Sequence, residues 1–200
     1  MKKAASVISA IFHPLIMPTL GLLLILNSGT YLALLDPSAK RAILFVMALG
    51  TLIFPLIMLP VLYYRNLITS LRGNMEEGLI PQLIILILYV ITFVYFVRIP
   101  VSRVIHGYAL SVPVTLAMVL LANLKFRVCI QSAALGGITG LIIALIILYE
   151  TPLQGVLMLT ILAAGITGSA KLVTGSQHFS GILTGYLLGF VVVLSILLIY

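Results

Sequence analysis

A chain of 200 residues that is 62% hydrophobic and only 8% charged, with a mean hydropathy of +1.31, cannot be a soluble globular domain. Its formal charge of +7 is carried by basic residues scattered between apolar runs, which excludes the clustered basic face of a nucleic-acid binder. One cysteine, Cys129, excludes an internal disulfide and a cysteine-based metal cluster.

Apolar runs of about 20 residues, enough to cross roughly 30 Å of hydrocarbon as helix, recur with short polar breaks. They fall near 8–35, 42–64, 79–97, 107–124, 128–149, 153–170 and 180–200. The expected architecture is an all-α polytopic membrane helix bundle of about seven transmembrane helices. It forms a single domain over 1–200, because the longest connection, 65–78, is too short to fold alone as a soluble domain. The expected location is a multi-pass membrane protein of a bacterial inner membrane.

The first span opens on Lys2 and Lys3 and then on IFHPLIMP, where Pro14 and Pro18 remove backbone donors and favour a kink or a late helix start. The run is longer than a signal-peptide core and lacks a clear cleavage site, so it reads as a retained helix with His13 just before the kink. Asp36, Pro37 and Ser38 close the first hairpin. Tyr63 and Tyr64 fit an interfacial belt at the end of the second span. The most polar stretch follows, with Arg65, Arg72, Glu76 and Glu77, before Pro81 sits in the first turn of the third span. Arg98, Pro100, Arg103 and His106 read as a loop on the opposite face.

The fourth span ends at Asn123 before Lys125, Phe126 and Arg127; then come Gln131 and Ser132, and Gly136, Gly137 and Gly140 in the fifth span. Small residues four apart let helices approach closely, and Gly181, Gly185 and Gly189 repeat the device, which predicts tight packing of the fifth and last helices. Between the last two spans, 171–178 places Lys171 and His178 on either side of a turn supplied by Gly175, Ser176 and Gln177. An ionisable group in hydrocarbon costs roughly 2.5–3.5 kcal/mol on insertion scales unless it reaches the interface or a polar partner.

With seven spans, the segment before the first helix, the 65–78 loop, the 125–132 break and the 171–178 break emerge on one face, where the positive-inside rule favours the cytoplasm. Three polar clusters on one face, separated by pairs of helices, resemble the type 2 phosphatidic acid phosphatase superfamily over 71–190. Its signatures are K-x6-R-P, P-S-G-H and S-R-x5-H-x3-D. Pro81 fits the first, with Ile80 at the arginine, Gly73 at the lysine and Arg72 one position away. Ser132 matches the serine of the second, but Ala133 follows and no histidine does. In the third, Ala170 and Lys171 resemble the serine and arginine with a one-residue insertion, His178 matches the histidine, and Ile182 stands at the aspartate.

The resemblance implies a six-helix phosphatase-like core, no metal or other cofactor, a nucleophilic His178 and cations that hold the phosphate. A histidine attacks phosphorus through a neutral nitrogen aimed by a bond on its other nitrogen, which Ile182 cannot supply. Ser180 or a backbone carbonyl is then left to aim the ring, and His13 to act as the acid. Losing general acid catalysis costs roughly 10²–10⁴-fold. Two function classes stay open. One is a catalytically weak or inactive relative that binds anionic lipid phosphate or diphosphate head groups through Arg72, Lys125, Arg127 and Lys171, with Gln131, Ser132 and Ser180 adding hydrogen bonds. The other is an active metal-independent phosphatase of isoprenoid or phosphatidyl phosphates. Membrane lipids are the expected partners, with an oligomer or accessory subunit allowed for; a transporter has no internal repeat or paired broken helices to support it.

Overall fold

The computed structural model describes residues 13–58 and 79–200. They form seven helical segments in chain order: α1 (Met17–Asn27), α2 (Pro37–Ala48), α3 (Leu79–Val97), α4 (Arg103–Asn123), α5 (Ile130–Tyr149), α6 (Gln154–Val173) and α7 (Phe179–Ile199). A π-turn, Leu49–Ile53, carries α2 onward, so that its span is Pro37–Met58. That span and α4 to α7 are long and apolar enough to cross a membrane. At 19 residues α3 rises roughly 28 Å. The chain is an all-α, multi-pass membrane helix bundle.

The first span is the one that departs from expectation. Proline lacks the N–H that an upstream carbonyl needs, and 13–16 is a turn, closed by the Ile16 N–H on the His13 carbonyl at 3.0 Å. Within the described residues the helix runs from Met17 to Asn27, about 16 Å of rise. Gly29, at φ 75°, then takes the chain into a 3₁₀ turn, Tyr31–Leu34. Residues 1–12, Tyr63, Tyr64, and the 65–78 loop with its arginines and glutamates lie outside the described residues. Arg103 and His106 belong to the first turn of α4, not to a loop; His106 Nε2 lies 2.9 Å from the Phe96 carbonyl and ties α4 to the end of α3. Lys171 sits in the last turn of α6, inside the helix and not in the break after it.

Asp36 caps α2 by accepting from the Ser38 N–H at 3.1 Å and from the Ser38 hydroxyl. The hydroxyl bond first, then the amide, holds the Asp36 carboxyl below its usual range. A lowered pKa gives an interaction that is complete above the ordinary aspartate value and lost as pH falls through the lower folded one. The Ser38 amide chemical shift should therefore titrate with a midpoint below the ordinary aspartate value of about 3.9, whereas in Asp36→Ala it should not titrate there at all.

The fifth and last helices pack as closely as their glycines allow. A Cβ on Gly136 would run into the Tyr186 carbonyl oxygen, one on Gly140 would stand 2.6 Å from that of Phe190, and one on Gly189 would meet that of Ala133. Gly181 and Gly185 lie in the same way on the Arg127 and Cys129 carbonyls, and the Cys129 N–H donates to the Gly181 carbonyl at 3.0 Å. Tyr186 OH donates to Thr139 Oγ1 at 3.0 Å across the same seam. In hydrocarbon helices have no hydrophobic drive to associate, so this contact of backbone on backbone supplies the van der Waals attraction. By contrast α6 turns most of its surface outward, with Met158 and Leu159 each 67% exposed to the lipid side.

Candidate functional site

A cavity of about 310 Å³ lies between the helices. It is walled by the first halves of α3 and α5, α4 from Tyr108 to Val119, the turn before α1 with the start of that helix, Val193 of α7 and the end of α6. Those helix ends meet on one side of the bundle, because successive helices run in alternating directions. The room comes from two sequence features. Pro14 and Pro18 hold 13–16 in a turn instead of a filled helix, and α5 presents Ala133, Ala134 and Gly137 to the space.

Polar groups enter this cavity from separate elements. Lys171, half-buried, comes from α6, where its aliphatic stem spans apolar surface before the ammonium reaches a polar setting. Gln131, 1% exposed, stands in the first turn of α5, and Gln82, 3% exposed, in that of α3. His13, half-buried, lies in the turn before α1, and its Nδ1 accepts the Leu15 N–H at 3.4 Å. In the neutral ring that bond puts the proton on Nε2, which makes His13 a donor in that form. Tyr108, Ser111 and Thr115 supply further hydroxyls from one stripe of α4. Their protons are committed locally: Ser111 Oγ donates to the Tyr108 carbonyl at 2.8 Å and Thr115 Oγ1 to the Ser111 carbonyl at 2.7 Å, beside the in-helix Pro113.

Of the residues singled out by sequence, His13, Gln131 and Lys171 converge on the cavity. Ser132 is buried on α5 without lining it. Lys125 and Arg127 are exposed on the turn between α4 and α5, a turn shaped by the Val128 N–H on Asn123 Oδ1 at 2.6 Å. His178 is the exposed N-cap residue of α7, with its side chain making no cap bond, and Ser180 is exposed in the first turn. Lys171 and His178 therefore flank one connection but do not share a pocket. Arg72 lies outside the described residues.

Gln82, Tyr89, Tyr108, Ser111 and Thr115 were not anticipated. The signal was present, since a glutamine inside an apolar span and polar residues at three- and four-residue spacing on α4 both mark an inward face. Among the described residues no three His, Cys, Asp or Glu side chains gather as metal ligands. Lys171, His13, Gln82 and Gln131 give the cavity its polar side, with apolar wall beyond. No family model, no curated protein and no solved structure matches this chain.

Proposed function

We propose that this membrane protein binds the phosphate or diphosphate head group of an anionic lipid in the cavity at one membrane face, as a catalytically weak or inactive counterpart of a lipid phosphate phosphatase in a bacterial inner membrane. The observation that carries the reading is the meeting of Lys171, His13 and Gln131, remote in sequence, in one otherwise mostly apolar pocket. An ammonium and hydrogen-bond donors are the groups a phosphate oxygen takes, and charge-assisted bonds are about twice as strong as neutral ones. The apolar wall suits the first part of a lipid chain. Catalysis asks for more: a histidine aimed at phosphorus and an acid beside the leaving oxygen. His178, exposed at the start of α7, has neither in the cavity.

The test uses the purified protein in detergent with phosphatidate, an isoprenoid diphosphate and diacylglycerol, and reads both binding and phosphate release. Binding of the two phosphorylated lipids, weakened by Lys171→Ala, with release at background, is the expected result. Release that disappears in His178→Ala would make the protein an active phosphatase. Equal affinity for diacylglycerol and phosphatidate would remove the head-group reading altogether.

A further inference from the structure

We infer that Tyr108 is the floor of the cavity and decides how much of the bound lipid's chain the protein holds; the inference rests on the head-group reading above. Tyr108 is 3% exposed and lines the cavity at the far end from Lys171 and Gln131. Its hydroxyl donates to the Pro18 carbonyl at 3.1 Å and stands 3.4 Å from that of Met17. The ring thus lies across the gap between α4 and α1. Gly21 admits it: a Cβ there would overlap the phenol and come 3.0 Å from Ile138 Cδ1, which also lines the cavity.

Beyond Tyr108 the described residues close the space. Leu22, Ile25, Leu141 and Leu145, each at most 1% exposed, fill the bundle there in one cluster that includes Tyr108 itself. Along α5 the cavity runs from Gln131 to Ile138, roughly 10 Å of helix rise. A head group held by Lys171 therefore leaves a short, mostly apolar slot ending on the phenol ring. The ligand class that fits is a phosphorylated lipid whose chain enters the slot only by its first segment, with the phenol setting the limit.

A photolabelling series tests this on the whole protein in detergent micelles. The probes are n-alkyl phosphates of increasing length, each with a diazirine at the chain end, at one fixed mole fraction. Peptide mass spectrometry should place the label on Tyr108 and Ile138 at one chain length, with no label deeper than Tyr108 from any longer probe. Lys171→Ala should lower that labelling about tenfold, the loss expected for one charge-assisted hydrogen bond. In Tyr108→Ala longer probes should reach Leu141, while Tyr108→Phe, which keeps the ring, should label as the parent does.

Labelling that depends on Lys171 but falls on lipid-facing residues at every length would overturn the floor and leave the head-group site standing. Labelling indifferent to Lys171→Ala would overturn the head-group reading. The parent series alone decides the question if Tyr108→Ala does not fold.

Discussion

Gly189→Leu is expected to abolish the folded, monodisperse protein in detergent, while Gly165→Leu is expected to leave it intact. A side chain at 189 would enter the Ala133 carbonyl, and the obstacle is backbone, which cannot swing aside as a flexible side chain can. Overpacking commonly costs about 1–3 kcal/mol even where neighbours can shift. Here the seam is continuous: parting the helices at 189 also parts Gly185 from the Cys129 carbonyl and Gly136 from Tyr186. Dispersion contacts fall off steeply with a gap of half an ångström or more, so the loss is shared along the interface. Gly165, on the outward side of α6, has nothing within 4 Å of the place a Cβ would take and tolerates the change. Size-exclusion profiles and thermal unfolding of the two variants against the parent make the comparison. Equal behaviour of both would mean that the α5–α7 seam does not hold the bundle.

Lys171→Ala is expected to weaken binding of a phosphorylated lipid by about 10- to 100-fold, the range of a hydrogen bond to a charged group at roughly 1.5–3 kcal/mol. Lys171→Arg keeps the charge but replaces a compact ammonium with a planar fork, and an intermediate affinity is expected. Arg127→Ala removes an exposed cation on the turn outside the cavity and should cost only a few-fold, because solvent and salt screen such a charge. Titration of lipid binding at low and high salt separates the two positions: the Lys171 effect should persist in salt and the Arg127 effect should fade. A loss at Arg127 as large as that at Lys171 would move the head group out of the cavity to the membrane surface.

Much of the architecture is legible in the sequence, because what specifies it is local. Each apolar run crosses the bilayer as helix since no other regular segment satisfies its own backbone in hydrocarbon. Polar breaks and turn residues such as Asp36 and Gly175 mark where those helices begin and stop. The glycines of α5 and α7 announce their contact for the same reason: removing a side chain is useful only where another backbone approaches. The late start of α1 is half legible, in that Pro14 and Pro18 foretell either a kink or a delay, and only the delay leaves room beside α5.

The candidate site is a matter for tertiary structure. Lys171, Lys125, Arg127 and His178 carry the same warning in the sequence, a charge or imidazole near an apolar run, yet Lys171 enters the bundle while the other three face outward. Which way each turns depends on where its helix ends relative to helices far away in the chain, and hydropathy contains nothing of that. Gln82 and Tyr108 acquire meaning in the same way, Gln82 through the cavity it lines with α5 and Tyr108 through the α1 carbonyl it reaches, which no spacing along α3 or α4 reveals. The sequence by itself determined a membrane bundle, its seven segments and its tightest helix pair, because bilayer thickness and backbone hydrogen bonding act on short stretches. The cavity, its polar mouth and its tyrosine floor were decided only when distant segments packed, because a space between helices belongs to none of them.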